Sequence, residues 1–364
     1  MGKSLAGSAL ILAYPWLNIL GANPFPDYSE KIRLGVIGVG SRGLLLLHYL
    51  NELSQKINIE VTAVCDNYEP HYQRAIKKTE GKAKSFYDYR KLLEIDEIDA
   101  VVIATPLHEH AHITVDALNS GKHVFCEKSM ARTLEDVKKM ADTHYSTGKV
   151  LQIGHQRMFD PRYLHAIELI NSGEIGRITQ IRAYWHRNND WRRAVPEAKP
   201  ELERKINWRL YKEYSCGLMT ELASHQIQVA NWLKNDLPTS VMGTGSINYW
   251  KDGREVYDNI ALIFSYKDGT QLIYDSMTSN RHYGLEEQIM GDKGTLELEM
   301  NKRYFENKPK PPEPPPPAGI VQLMKDIESG IFRDAIPLTN SSWIPELKVD
   351  EDGIPIIDRE KGFD

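Results

Sequence analysis

Between Lys31 and Ile153 the chain alternates two textures, short β-branched apolar runs and longer stretches with apolar residues three and four positions apart. The runs at 32–37, 61–65, 100–104, 122–126 and 149–153 predict buried strands, and 42–53, 109–119 and 133–147 predict helices. That alternation predicts a doubly wound parallel sheet. The punctuation agrees with it. Gly121 and Gly148 fall where helices should stop, and Thr133 with Asp136 three residues on forms a box-like helix start.

After about residue 157 the pattern changes. One helix, 161–171, precedes long alternating runs at 178–186, 240–250, 259–279 and 286–300, the signature of antiparallel strands. Lys267-Asp268-Gly269 joins 259–266 to 270–277 as a hairpin, and Gly291 to Gly294 marks a further turn. One face of such a sheet must be covered, by the helices of the first domain, by a helix predicted over 219–233, or by another subunit. Residues 308–317 are proline-rich and predict an extended surface loop.

The first predicted strand breaks into Gly38-x-Gly40-x-x-Gly43 and opens a leucine-rich helix. Gly38 suits a tight turn, Gly40 lets the backbone approach a pyrophosphate, and Gly43 lets the helix pack close to the sheet. Such triplets also occur in ordinary turns. Here the next strand, 59–65, ends at Asp66, where a dinucleotide site expects an acid for the ribose hydroxyls. Asn67, Tyr68 and Glu69 bring no cation to receive a 2′-phosphate, so NAD is the expected cofactor.

Composition narrows the partners. The chain has 364 residues, 41% hydrophobic and 26% charged, with a net charge of −5, enough for a large core in two domains. No long basic block is present, which argues against nucleic acid and anionic membranes. Cys65, Cys126 and Cys216 are far apart, which argues against a disulfide framework or a Cys-rich metal site. His108, Glu109, His110 and His112 invite a metal reading, but no further ligand cluster accompanies them, and no metal is expected. Residues 4–26 carry no charge, and the apolar stretch from Leu5 to Leu20 is broken by Pro15. Residues 1–30 therefore read as a targeting segment rather than a stable membrane span, with export to the periplasm expected; a subunit-packing arm on a cytoplasmic protein is the alternative.

Five motifs together resemble the glucose-fructose oxidoreductase, inositol dehydrogenase and rhizopine-catabolism (Gfo/Idh/MocA) family over roughly residues 31–300. They are Gly-Val-Ile-Gly-Val-Gly at 35–40, Ala104-Thr-Pro-Leu-His108, Cys126-Glu-Lys128, Gly154-His-Gln-Arg157 and Gly217-Leu-Met-Thr-Glu-Leu-Ala-Ser-His225. The resemblance implies an α/β Rossmann N-terminal domain over 31–157. It also implies an α+β C-terminal domain over 158–364 with a large, mostly antiparallel open sheet that shapes the substrate pocket and often a homo-oligomer interface, here a dimer or tetramer. NAD would be held by Gly38, Gly40, Ser41, Arg42, Gly43, Asp66, Thr105, Pro106, His108, Glu127 and Lys128. Lys128 occupies the family's Glu-Lys-Pro motif, where it meets the reacting hydroxyl. Ser129 replaces the proline, and serine makes a cis bond cost about 2.5–4 kcal/mol, so a trans bond and a shifted lysine are expected as an alternative.

His225 matches the family's catalytic histidine. Glu221, one helical turn earlier, stands where aspartate is common and could orient the imidazole. His155, Gln156 and Arg157 follow the last strand of the parallel sheet at its carboxyl end, where such sheets expose their ligand crevice. Trp185, His186, Asn188, Trp208 and Arg209 suit a carbohydrate, with aromatic faces for C–H patches and polar groups for hydroxyls. The implied activity is NAD-dependent oxidation of a carbohydrate or polyol hydroxyl. Two alternatives share the fold, an NAD-dependent glycosidase working by oxidation, elimination and re-reduction, and a non-catalytic NAD or sugar sensor.

Overall fold

The structure, a computed structural model, describes residues 30–299 and 302–305. The targeting segment expected over 1–30 lies outside them but for residue 30, and the loop expected at 308–317 lies wholly outside. The described chain forms two compact units. The first comprises residues 30–155, 191–224 and 252–256; the second comprises 156–190, 225–251 and the described residues from 257 onward.

In the first unit the elements run β1 (Ile32–Ile37), α1 (Ser41–Leu53), β2 (Ile59–Cys65), α2 (Glu69–Lys78), β3 (Lys84–Phe86), α3 (Tyr89–Leu93), β4 (Ala100–Ile103), α4 (His110–Asn119), β5 (His123–Glu127), α5 (Leu134–Thr147) and β6 (Leu151–Gly154). The strands form one parallel sheet in the order β3-β2-β1-β4-β5-β6, so strand order reverses between β1 and β4, the crevice position of a dinucleotide fold. Both faces are buried because successive side chains point to opposite sides. Val36, Val64 and Val102 pack with Leu47 of α1 and Ala75 of α2. Ile37, Cys65, Ile103 and Cys126 pack with Leu92, Ile113, Leu118 and Met140. Leu118 has no exposed surface, so Leu118→Ala should cost about 2–5 kcal/mol, read as a lower denaturant midpoint at unchanged slope.

Local chemistry sets the boundaries. Thr133 Oγ1 accepts the Asp136 N–H at 3.1 Å to start α5, and Gly148, at φ +65°, ends it. The helix α2 was not singled out by the pattern, because its apolar stripe is short, Tyr72, Ala75 and Ile76 among polar residues, and it buries only Ala75.

The second unit is built on α6 (Pro161–Asn171), β7 (Ile178–His186), β8 (Ser240–Ser246), β9 (Asn259–Ser265), β10 (Gln271–Met277), β11 (Leu285–Gly291), β12 (Gly294–Glu297) and β13 (Lys302–Phe305). Its sheet has the order β13-β12-β11-β7-β10-β9-β8 and is antiparallel except for the central pair β7 and β10. The expected hairpin joins β9 to β10, with Gly269 at φ +88° in its turn. β8 stops at Ser246, short of the Trp250 expected from the pattern. The reason is Asp258, whose carboxylate accepts the N–H groups of Asn248, Tyr249 and Trp250 at 2.9, 2.8 and 2.7 Å and so draws the chain out of the ladder. On the buried face Ile181 and Ala183 of β7 meet Leu272 and Tyr274 of β10 and Ile289 of β11. A further helix, α7 (Glu203–Ile206), belongs to the first unit, and α8 (Ser224–Lys234) is tied to the second sheet by Gln226, whose Nε2 donates to the carbonyls of Tyr184 and Glu286, both at 2.9 Å. No described helix is long and apolar enough to cross a membrane.

Candidate active site

The turn after β1 can be built only with glycine. At Gly38, φ is +84°, and an added Cβ would sit 2.7 Å from the Ala104 carbonyl carbon and the Thr105 nitrogen, so the Thr105–Pro106 turn closes directly on this backbone. A Cβ on Gly43 would lie 1.9 Å from the Gly38 oxygen. Gly40 differs, since a Cβ there would meet only the His71 ring, at 3.3 Å. The helix α1 starts at Ser41 with no side-chain cap and no acid in its first turn, leaving positive dipole and backbone N–H groups for an anion. Asp66 at the end of β2 is aimed at this loop, its Oδ2 accepting the Val39 N–H at 2.9 Å and its Oδ1 the Tyr68 N–H at 2.8 Å. Arg42 Nε donates to Glu127 Oε1 at 2.6 Å, joining the start of α1 to the end of β5. These residues fit a dinucleotide, with the pyrophosphate at α1 and the adenosine ribose at Asp66. One feature escaped the sequence pattern. Lys205 of α7 donates to the Asn67 carbonyl at 2.9 Å, placing a cation beside the residues that by themselves offer none.

Lys128 follows β5. The Lys128–Ser129 peptide is cis, so the trans alternative is set aside. Lys128 Nζ donates to the carbonyls of Thr220 and Glu221 at 3.1 and 2.9 Å, and Ser129 Oγ donates to the Thr220 carbonyl at 3.1 Å. Both acceptors lie in the π-helical turn Met219–Ala223 that leads into α8. Burial holds the Lys128 ammonium below its ordinary pKa, with the Glu221 carboxylate opposing that shift. Glu221 Oε2 accepts from Arg209 Nε at 2.6 Å, and the Arg209 guanidinium lies 4.3 Å over the Trp208 ring. Trp208 and Arg209 thus brace the turn that holds Lys128, and the Glu221 carboxylate, expected to orient the His225 imidazole, is instead taken by Arg209.

His155 is pushed down to about 4, first by burial and then by the Lys128 charge, so its ring is neutral near pH 7. The unfolded chain, with histidine near 6.5, binds more protons between those values, and stability should fall as pH drops from 6.5 to 4. A melting series should show that slope, flattened in His155→Gln. His108 and His112 both engage Glu109, each at 3.1 Å, and hold its carboxyl well below the usual range; the His108 ring also stacks 4.5 Å from Tyr214. His110 was weighed from the sequence only as a metal ligand, and its actual role is structural. Its Nδ1 lies 2.8 Å from the Ser129 carbonyl and its Nε2 3.1 Å from the Thr105 carbonyl, linking the lysine loop to the turn at Gly38. The helical spacing of His110 with the buried Ile113, Thr114 and Ala117 was the available signal.

In the second unit, His225 is buried with its ring 5.5 Å from Trp185. Arg157 and Arg187 lie 5.4 and 5.0 Å from the same indole. Arg157 was expected to line a pocket but is enclosed: its guanidinium pairs with Glu287 at 2.7 Å and Glu299 at 3.0 Å, and Tyr163 donates to both carboxylates. Gln156 is exposed. A cleft of about 440 Å³ opens at the end of β7, lined by Trp185, His186, Arg187, Asn188, Asn189 and Arg281 among others. Alternation along β7 places Trp185 on the face of Ile181 and Ala183, and Arg187, whose N–H continues the ladder to the Met277 carbonyl, follows it. His186 falls on the opposite face, where its Nε2 engages Asp275. Asn188 bridges to Ser279 in the backbone.

Residues 32–155 match the model of the Gfo/Idh/MocA oxidoreductase family with NAD-binding Rossmann fold, and residues 163–297 match a Gfo/Idh/MocA C-terminal domain model. The inositol 2-dehydrogenase of Salmonella typhimurium is 31% identical over 207 residues, 56% of this chain and 55% of that protein, so the chain spans about half the length of that curated relative. The NAD-dependent scyllo-inositol 2-dehydrogenase of Bacillus subtilis is 25% identical over 271 residues, 74% of each chain. Among solved structures, scyllo-inositol dehydrogenase from Lactobacillus casei with bound NAD(H) and scyllo-inositol is similar with a TM-score of 0.61 at 25% identity, covering 74% of this chain and 76% of that one.

Proposed function

The chain belongs to the Gfo/Idh/MocA oxidoreductase family, and from that premise we propose that it is an NAD-dependent dehydrogenase acting on a hydroxyl of a carbohydrate or polyol. The observation that carries the reading is Lys128, half-buried just past the carboxyl end of β5 and held by two backbone carbonyls, in the same unit as an intact dinucleotide cradle. NAD, when bound, supplies the acceptor for a hydride from the carbinol carbon. Lys128 stabilises the oxygen as negative charge develops on it. His225 takes the hydroxyl proton. Glu221, fixed by Arg209, positions Lys128 through its own carbonyl.

The test is a panel of polyols and sugars followed at the NADH absorbance band. Net accumulation of NADH supports the dehydrogenase; turnover of glycosides without net NADH would transfer the reading to the redox-neutral glycosidase. Cofactor choice is a second expected result. Asp66→Ala should raise the kcat/KM ratio of NADP to NAD at least about tenfold, because it removes a carboxylate that repels a 2′-phosphate while Lys205 stays beside it. Asp66→Ala with Lys205→Ala should show less of that gain.

Two further parts of this reading concern the whole protein. Export to the periplasm, motivated by the uncharged residues 4–26, predicts a mature chain lacking them in a periplasmic extract; an intact Met1 chain in the cytoplasm rejects it. Homo-oligomer formation draws support from β8, an edge strand with Val241 and Met242 at 58% and 67% exposure. A monomer mass at micromolar concentration rejects that.

A further inference from the structure

The cleft at the end of β7 contains two guanidinium groups that nothing among the described residues neutralises. The Arg187 guanidinium lies over the Trp185 ring at 5.0 Å, while its backbone N–H goes to Met277. Among the described residues Arg281 is bonded only through its carbonyl, which accepts the Gly284 N–H. Neither guanidinium has a hydrogen-bond or ion-pair partner among the described residues, and both side chains are exposed. Two other arginines of this unit are neutralised by carboxylates. Arg157 holds Glu287 and Glu299, and Arg162 holds Asp160 and Glu299. Among the described residues no carboxylate lines the cleft, and Asp275 is engaged by His186.

Two like charges sharing one concavity repel each other, and an anion between them relieves that repulsion. A guanidinium presents a planar fork of N–H donors that matches a carboxylate or phosphate in two parallel bonds. Position adds to charge. The Trp185 indole is shared by the Arg187 guanidinium, at 5.0 Å, and the His225 ring, at 5.5 Å, which keeps the cation within about one sugar ring's reach of the proposed base. Resting on the dehydrogenase reading above, we propose that the substrate is an anionic polyol, a sugar or cyclitol bearing a carboxylate or phosphate, recognised by Arg187 and Arg281.

The experiment uses the full-length protein with NAD and matched probes, glucuronate against glucose and glucose 6-phosphate against glucose. At least one anionic member should exceed its neutral parent in kcat/KM by about tenfold or more, and which arm does so identifies carboxylate or phosphate. That advantage should shrink as salt is raised. Arg187→Gln and, independently, Arg281→Gln should lower kcat/KM for the anion about tenfold more than for the neutral parent. Neutral parents that equal or exceed both anions, or a preference that survives both substitutions, overturn the proposal. If no compound yields NADH, the dehydrogenase reading falls, and calorimetric binding of the same probes decides the anion site. Binding of an anion but not its parent, lost in the variants, upholds the site; equal binding or none overturns it.

Discussion

Lys128→Ala should lower turnover by roughly 10²–10³-fold while leaving the dissociation constant of NAD within a few-fold of the parent value. The separation of effects follows from geometry. The cofactor cradle is made by Gly38, Gly43, the start of α1 and Asp66, and none of these contacts passes through Lys128 Nζ, whose bonds go to the Thr220 and Glu221 carbonyls. Removing the ammonium deletes charge stabilisation at the carbinol oxygen. Lys128→Arg should rescue little, because the acceptors are spaced for a compact ammonium at 2.9 and 3.1 Å rather than for a planar fork. Stopped-flow absorbance on the first turnover, with NAD binding measured separately, checks both halves. A first-turnover rate near that of the parent would remove Lys128 from the mechanism.

The second large effect belongs to the glycines, and it should divide them. In Gly43→Ala the new methyl would stand 1.9 Å from the Gly38 oxygen, a backbone atom that cannot step aside, so α1 must shift away from the sheet. Overpacking of this kind costs about 1–3 kcal/mol, and the variant should lose both stability and NAD affinity, the latter by about 10- to 100-fold. Gly40→Ala meets only an imidazole ring at 3.3 Å, so its melting temperature should stay close to the parent's. NAD binding should nevertheless weaken, because the methyl occupies the approach to the pyrophosphate. Calorimetric titration and thermal melts of the two variants give the comparison, and equal melting behaviour would contradict the packing argument.

The parallel sheet was legible because burial on both faces forces near-continuous apolar runs, as in residues 100–104, and because glycine and threonine mark the helix ends. The glycine loop, Asp66, Lys128 and His225 were legible because each sits in a short local motif. What stayed hidden depends on contacts between distant positions. No local pattern announces that Lys205 would reach Asn67, that Arg209 would take Glu221, or that Arg157 would be enclosed by Glu287 and Glu299. His186 and Arg187 show the same limit on a finer scale. Alternation was available to place them on opposite faces, but composition alone drew attention to the histidine.

The two carbonyls that hold Lys128 come from a segment made much later than the lysine itself; Thr220 is 92 positions further along the chain. A ribosome will therefore have released the whole glycine loop and all six parallel strands before the amine can meet its acceptors. Closing so long a loop carries an entropic cost that grows only slowly with length, so the delay is kinetic more than energetic. A nascent chain halted after β6 should already recognise NAD, yet its lysine would have no fixed position. Competence to bind cofactor and competence to turn over substrate should consequently arise at different moments of synthesis, and arrested chains of graded length, assayed for each, would reveal the interval between them.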